Sequence, residues 1–169
     1  MQSVKESVKN YYSEVVKKSS DLRTSACCAA GEPPQWMKDL IANIDERVLD
    51  KFYGCGFPVT EGVAGCTVVD LGSGSGRDVY IYSQLVGATG TVIGIDMTEE
   101  QLDTANEVLL EQMETFGFTE GNVEFKKGYI EALDEVGVSA GSVDLVVSNC
   151  VVNLSPNKAA VLQGVFNIL

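Results

Sequence analysis

The run Thr67-Val68-Val69-Asp70-Leu71-Gly72-Ser73-Gly74-Ser75-Gly76 constrains the fold of this chain more than any other stretch. Apolar and β-branched residues surround one acid, glycines then alternate with serines, and Arg77-Asp78 opens a helical pattern. That order describes a strand, a tight turn and a helix N-terminus. Gly72 and Gly74 let the backbone turn sharply and approach a ligand without a Cβ in the way. A second apolar run, Thr91-Val92-Ile93-Gly94-Ile95, ends in Asp96, an acid about 20 residues after the glycines and therefore suited to gripping ribose hydroxyls. The spacing G-x-G-x-G, with Asp70 two residues before the first glycine, departs from the dinucleotide pattern G-x-G-x-x-G. The turn reads as a nucleoside-binding site rather than an ordinary strand-to-helix connection.

A chain of 169 residues, 45% hydrophobic and 21% charged, has material for one core. The start, Met1-Gln2-Ser3-Val4-Lys5-Glu6, lacks the apolar segment of a signal peptide. No apolar run approaches the roughly 18 residues of a membrane span, so the expectation is a cytoplasmic protein with no membrane partner. Through Tyr53 there are eight basic and eight acidic residues; from Gly54 onward there are four and sixteen, which carries the whole net charge of −12. Such a surface repels a phosphate polymer, and no basic cluster with interleaved aromatics compensates. Nucleic acid is thereby excluded as a partner. The chain contains no histidine, which excludes a histidine base or ligand. Its five cysteines, Cys27, Cys28, Cys55, Cys66 and Cys150, contain no C-x-x-C pair, so neither a zinc ribbon nor a thioredoxin-type redox site is expected.

Residues Ser3 to Lys18 read as an amphipathic helix and Ser19 to Glu32 as a loop. Pro33-Pro34 starts a short helix to about Asn43, and Asp45 reads as the N-cap of another reaching Phe52 or Tyr53. Gly54 or Gly56 then supplies its left-handed C-terminal residue. From Gly65 strand and helix alternate: strand Cys66–Asp70, helix Gly76–Leu85, strand Thr91–Asp96, and a helix capped by Thr98 with the apolar stripe Leu102, Ala105, Leu109, Met113 and Phe116. A short, edge-like strand follows at Asn122–Lys126 and a loop or short helix at Gly128–Val136. Strand Val143–Ser148 is almost wholly apolar, the pattern of a strand covered on both faces. A helix from Pro156 reaches Leu169. The division is an N-terminal cysteine-bearing helical segment, 1–64, and an α/β domain with a mostly parallel, Rossmann-like sheet, 65–169.

Parallel α/β sheets bind ligands where the strands end. Three tips matter: Asp70 to Gly76, Asp96-Met97, and Ser148-Asn149-Cys150-Val151-Val152-Asn153. From position alone Cys150 is either a reactive thiol or a small buried hydrophobe. Cys66, inside a strand, reads as core. Cys27 and Cys55 fall in loops, where burial for packing is less natural. Several loop thiolates beside a nucleoside site suit a soft, thiophilic centre such as trivalent arsenic. The lone pair of such a centre attacks a sulfonium methyl without loss of a proton, so no histidine base is required.

The glycine turn resembles motif I of the class I S-adenosylmethionine-dependent methyltransferases. Beyond it, Asp21-Leu22-Arg23-Thr24-Ser25-Ala26-Cys27-Cys28, Phe52-Tyr53-Gly54-Cys55-Gly56 and Gly94-Ile95-Asp96-Met97-Thr98 resemble successive motifs of the arsenite methyltransferase family. So do Gly128-Tyr129-Ile130-Glu131 and Val147-Ser148-Asn149-Cys150-Val151-Val152-Asn153-Leu154-Ser155-Pro156. The resemblance implies methyl transfer from S-adenosylmethionine to thiolate-bound trivalent arsenic, with Cys27 (or Cys28), Cys55 and Cys150 as arsenic ligands. It implies that Asp70, Gly72, Ser73, Gly74 and Gly76 hold the cofactor's methionine end and Asp96 its ribose. Met97, Ile130, Glu131 and Asn149 complete the cofactor site. Glutathione or thioredoxin is the implied thiol reductant. Family members continue with further strands and another cysteine, so the chain reads as the N-terminal portion, with a sheet stopping after strand four. Two alternatives stand beside this reading: a methyltransferase of another small molecule, and a non-catalytic arsenic- or cofactor-binding fragment.

Overall fold

The computed structural model describes residues 6, 10, 11 and 32–169. Glu6 and Asn10 are helical; the rest of the expected N-terminal helix, and the loop with Cys27 and Cys28, lie outside the described residues. The elements are α1 (Gln35–Ile41), α2 (Glu46–Leu49), β1 (Thr67–Leu71), α3 (Arg77–Val86), β2 (Thr91–Asp96), α4 (Glu99–Glu107), α5 (Leu109–Thr115), β3 (Val123–Lys127), β4 (Leu145–Ser148) and α6 (Lys158–Ile168). Short 3-10 turns lie at Leu133–Glu135 and Val152–Leu154.

The sheet is parallel throughout, in the order β3-β2-β1-β4. A parallel pair requires a crossover, and each crossover helix covers a face of the sheet. Alternation along β1 divides the core. Val69 and Leu71 join Ile93, Ile95, Val161 and Ile168 on the α6 side. Val68 packs with Val79, Tyr82 and Val86 of α3 on the other, where Tyr80, Val108 and Met113 form a third cluster. Asp70 follows Val68 by two residues and so leaves the strand on the α3 face.

Several local readings are corrected. The helix capped by Asp45, whose carboxylate accepts the Arg47 N–H at 2.8 Å, ends at Leu49, well before Phe52. Gly56 has a positive φ of 92°, but within a separate loop. Thr98 stands at the start of α4 without a side-chain cap bond; its own N–H donates to Asp96 Oδ1 at 2.8 Å. The long helix expected after Thr98 breaks at Val108, close to where the Tyr80 hydroxyl donates to the Ala105 carbonyl at 2.6 Å and competes for a helical acceptor. The apolar run of β4 does not mark full burial: its four residues are half-buried, because among the described residues no strand pairs with its outer edge.

Candidate functional site

Register builds the site. Leu71 pairs with Ile95 on one side and Ser148 on the other. One residue further, Gly72, Asp96 and Asn149 leave the sheet together at one end, or in the case of Asp96 as the last residue of its strand. The glycine turn is then tied to β2: the Gly72 and Ser73 N–H groups donate to the Ile95 carbonyl at 2.7 and 3.0 Å, and the Gly74 N–H donates to Asp96 Oδ2 at 2.9 Å. Ser75 Oγ donates to the Val48 carbonyl at 2.9 Å, which fixes the turn against α2.

Around these tips opens a cleft, partly open to solvent, that encloses about 1020 Å³ when the solvent at its mouth is counted. Asp70, Gly72, Ser73, Gly74, Asp96 and Met97 line it. Ile130, Glu131, Asn149 and Cys150 line its other side. Gly76 lies beneath, against the rings of Phe125 and Tyr80. Cys66 packs at the edge of the α3-side core.

The electrostatics are acidic and unbalanced. Burial, reinforced by the charges of Asp78 and Asp96, pushes the Asp70 carboxyl well above the usual carboxylate range, with Arg77 pulling the other way. Burial also raises Asp96, opposed by the N–H groups of Thr98 and Gly74. Two buried polar atoms in the lining, Ser73 Oγ and Gln101 Oε1, have no hydrogen-bond partner among the described residues. Buried polar groups are normally satisfied, so these two, with the acids, mark a surface shaped for hydroxyl, amine or cationic groups.

At the mouth two cysteine segments meet. Cys150 is exposed and, among the described residues, is the single non-glycine with positive φ, 61°. A cysteine held in that region carries strain of a kind concentrated at functional sites. Its Sγ lies 4.0 Å from the Cys55 carbonyl. Asn149 ties the segments together: its Oδ1 accepts the Cys55 N–H at 2.9 Å, and its Nδ2 donates to Gly56 O at 3.3 Å and to Asp78 Oδ2 at 2.9 Å. The Asn149 amide is thus engaged with protein groups as well as lining the cleft. Glu131 accepts the Ser155 hydroxyl at 2.6 Å. Sequence reasoning missed Gln101, which stood only as a polar residue in a helix, and gave no role to Arg77, Asp78 or Phe52.

Comparison with known proteins decides the family. The methyltransferase domain family matches residues 63–169, and the arsenite methyltransferase of Aquipseudomonas alcaligenes is 51% identical over 97% of the chain. The chain belongs to the methyltransferase domain family. The human arsenite methyltransferase is 46% identical over 98% of the chain. The crystal structure of an arsenic(III) S-adenosylmethionine methyltransferase from Chlamydomonas reinhardtii superposes with a TM-score of 0.79 at 43% identity, over 82% of the chain. The chain spans about half the length of each: 47% of the Aquipseudomonas protein, 44% of the human one and 46% of the Chlamydomonas one. A putative methyltransferase from Methanococcus maripaludis, at 15% identity and a TM-score of 0.52, shares the fold alone. No helix of the described residues is long and apolar enough to cross a membrane.

Proposed function

We propose that the cleft binds S-adenosylmethionine and that Cys55 and Cys150 hold trivalent arsenic at its mouth, so that the chain carries the donor site and thiol site of arsenite methylation. The observation that carries this reading is the convergence of both thiol segments on one cleft whose floor is the glycine turn, Asp70 and Asp96. Cys27, or Cys28 in its place, is a further proposed arsenic ligand.

The residues present fit the cofactor. S-adenosylmethionine, when bound, supplies an electrophilic methyl group on a sulfonium. The Gly74 and Thr98 N–H groups hold the two Asp96 oxygens in place, at the strand tip where a ribose hydroxyl would donate to the carboxylate. Asp70, buried beside the like charges of Asp78 and Asp96, lines the cleft with the turn, where a cationic methionine end gains most from a carboxylate. Ser73 Oγ and Gln101 Oε1 acquire partners in place of none. Met97 and Ile130 offer apolar contact to a base, and Glu131 a carboxylate beside it. Asn149 acts from the thiol side, through the bonds that hold Cys55.

The thiols do their part without a base. As arsenite binds, each thiol gives up its proton, an arsenic–oxygen bond is replaced by an arsenic–sulfur bond, and the hydroxyl leaves as water. Sulfur-bound arsenic(III) keeps its lone pair, so no proton has to be removed for it to act as nucleophile, which suits a chain without histidine. Positioning supplies the rate gain. We assign residues 1–64 to the cysteine-bearing segment and 65–169 to the cofactor domain, in the cytoplasm, with a glutathione- or thioredoxin-class thiol keeping the arsenic trivalent.

The test combines calorimetry with thiol protection. S-adenosylmethionine should bind, and arsenite should shield Cys55 and Cys150 from alkylation, read peptide by peptide, while leaving Cys66 unaffected. Equal alkylation of Cys55 and Cys150 with and without arsenite would overturn the arsenic assignment; no heat of binding would overturn the cofactor assignment.

A further inference from the structure

The chemistry above leaves Arg77 unused, yet its setting is costly. Arg77 opens α3, at the end of the helix dipole that disfavours cations, and it is only 6% exposed. A guanidinium taken out of water needs both its charge and its donors met. Its Nε and Nη2 donate to Asp78 Oδ1 at 2.8 and 2.6 Å, and Nη2 also donates to the Gly56 carbonyl at 2.8 Å. Its flat face lies over the Phe52 ring, with the central carbon 3.3 Å from the ring centroid, and 5.0 Å from the Phe57 centroid.

Phe52 and Phe57 bracket Cys55. The stretch between them contains no helix or strand, so its shape depends on contacts made from outside it. Arg77 supplies three: one ring at each end and the carbonyl of Gly56. Asp78, oriented by Arg77, accepts from Asn149, whose Oδ1 holds the Cys55 N–H. The packing is close: a Cβ on Gly54 would lie 2.4 Å from the Phe52 ring and 2.7 Å from Asn149.

We propose that Arg77 is a positioning residue for the thiol site: it clamps the Phe52–Phe57 loop from the glycine-turn side and keeps Cys55 beside Cys150. The inference rests on the reading of those cysteines as arsenic ligands. Lysine would retain the charge but not the planar fork or the stacking face, so Arg77→Lys separates clamping from neutralisation of Asp78.

The experiment uses the full chain carrying Arg77→Lys, with Phe57→Leu as a second variant that removes only one ring. Cys55 alkylation without arsenic should accelerate several-fold in Arg77→Lys, with Cys66 unchanged. Arsenite affinity should fall by about tenfold or more, the scale on which residues orienting metal ligands act, while S-adenosylmethionine affinity stays within about threefold on the same comparison. Phe57→Leu should move the same two readouts less. Folded variants with unchanged Cys55 alkylation and arsenite affinity would overturn the proposal, leaving Arg77 a plain ion-pair partner. Loss of the fold in both variants would overturn it as well, because the role would then belong to the domain and not the loop. If the wild-type chain fails to bind arsenite, the arsenic reading falls, and the alkylation contrast still decides whether Arg77 positions Cys55.

Discussion

Alanine at Gly72 and at Gly74 should have unequal costs, and the structure says by how much. Both glycines have positive φ, 76° and 54°, a conformation that costs an L residue about 1–2 kcal/mol. The two differ in what a methyl group would meet. At Gly74 the nearest atom is Gln101 Oε1 at 3.9 Å, an ordinary contact. At Gly72 the Cγ2, Cγ1 and Cβ of Val151 lie 2.4, 2.6 and 2.7 Å away. A valine cannot swing its Cβ aside, and its rotamer is stiff, so relief requires moving the backbone after β4, which carries Cys150. Overpacking of this kind adds about 1–3 kcal/mol. Gly72→Ala should therefore lose about 2–5 kcal/mol and Gly74→Ala about 1–2 kcal/mol, summing the same two costs. Urea denaturation of the two variants measures the difference directly, and Cys150 alkylation should change in the first alone. Equal losses would refute the packing argument, since the backbone cost is shared and only the Val151 contact separates them.

Asp70→Asn should flatten the stability–pH profile. The native carboxyl holds its proton at pH values where the unfolded chain, near the ordinary 3.8, has lost it, so ligand-free stability falls as pH rises from that value through the raised native one. The variant should lose part of that slope and bind S-adenosylmethionine more weakly; identical slopes in denaturation across pH would contradict the assignment. Asp96→Ala should weaken S-adenosylmethionine binding by about 1–3 kcal/mol, the scale of hydrogen bonds to a charged group, and leave arsenite binding in place; unchanged calorimetric affinity would remove Asp96 from the site.

The strand–turn–helix core was legible because its signals are local. β2 lies where its apolar run and terminal acid put it, and β1, α3 and β3 are displaced by one residue, a shift at termini that periodicity does not resolve. The order with β1 between β2 and β4 rests on pairing between segments far apart in sequence, which no single run of residues announces. What sequence did not disclose is long-range. Nothing in Phe52-Tyr53-Gly54-Cys55-Gly56-Phe57 announces that a guanidinium from α3 stacks on its first aromatic residue, or that Asn149 spends its amide on the Cys55 backbone. The break at Val108 was hidden for the same reason: the apolar stripe runs on through it, while the competing donor, Tyr80, comes from another helix. Gln101 lay in the first turn of a helix with a polar face, and only its buried, unpartnered oxygen distinguishes it.

The central claim is that Cys55 and Cys150 bind arsenic together at the mouth of the cofactor cleft. X-ray absorption at the arsenic edge, on the chain loaded with arsenite, tests it most directly. The account predicts a first shell of sulfur that loses a sulfur scatterer in Cys55→Ser and again in Cys150→Ser, and is unchanged in Cys66→Ser. An oxygen-only shell, or a sulfur shell indifferent to both loop cysteines, would contradict it.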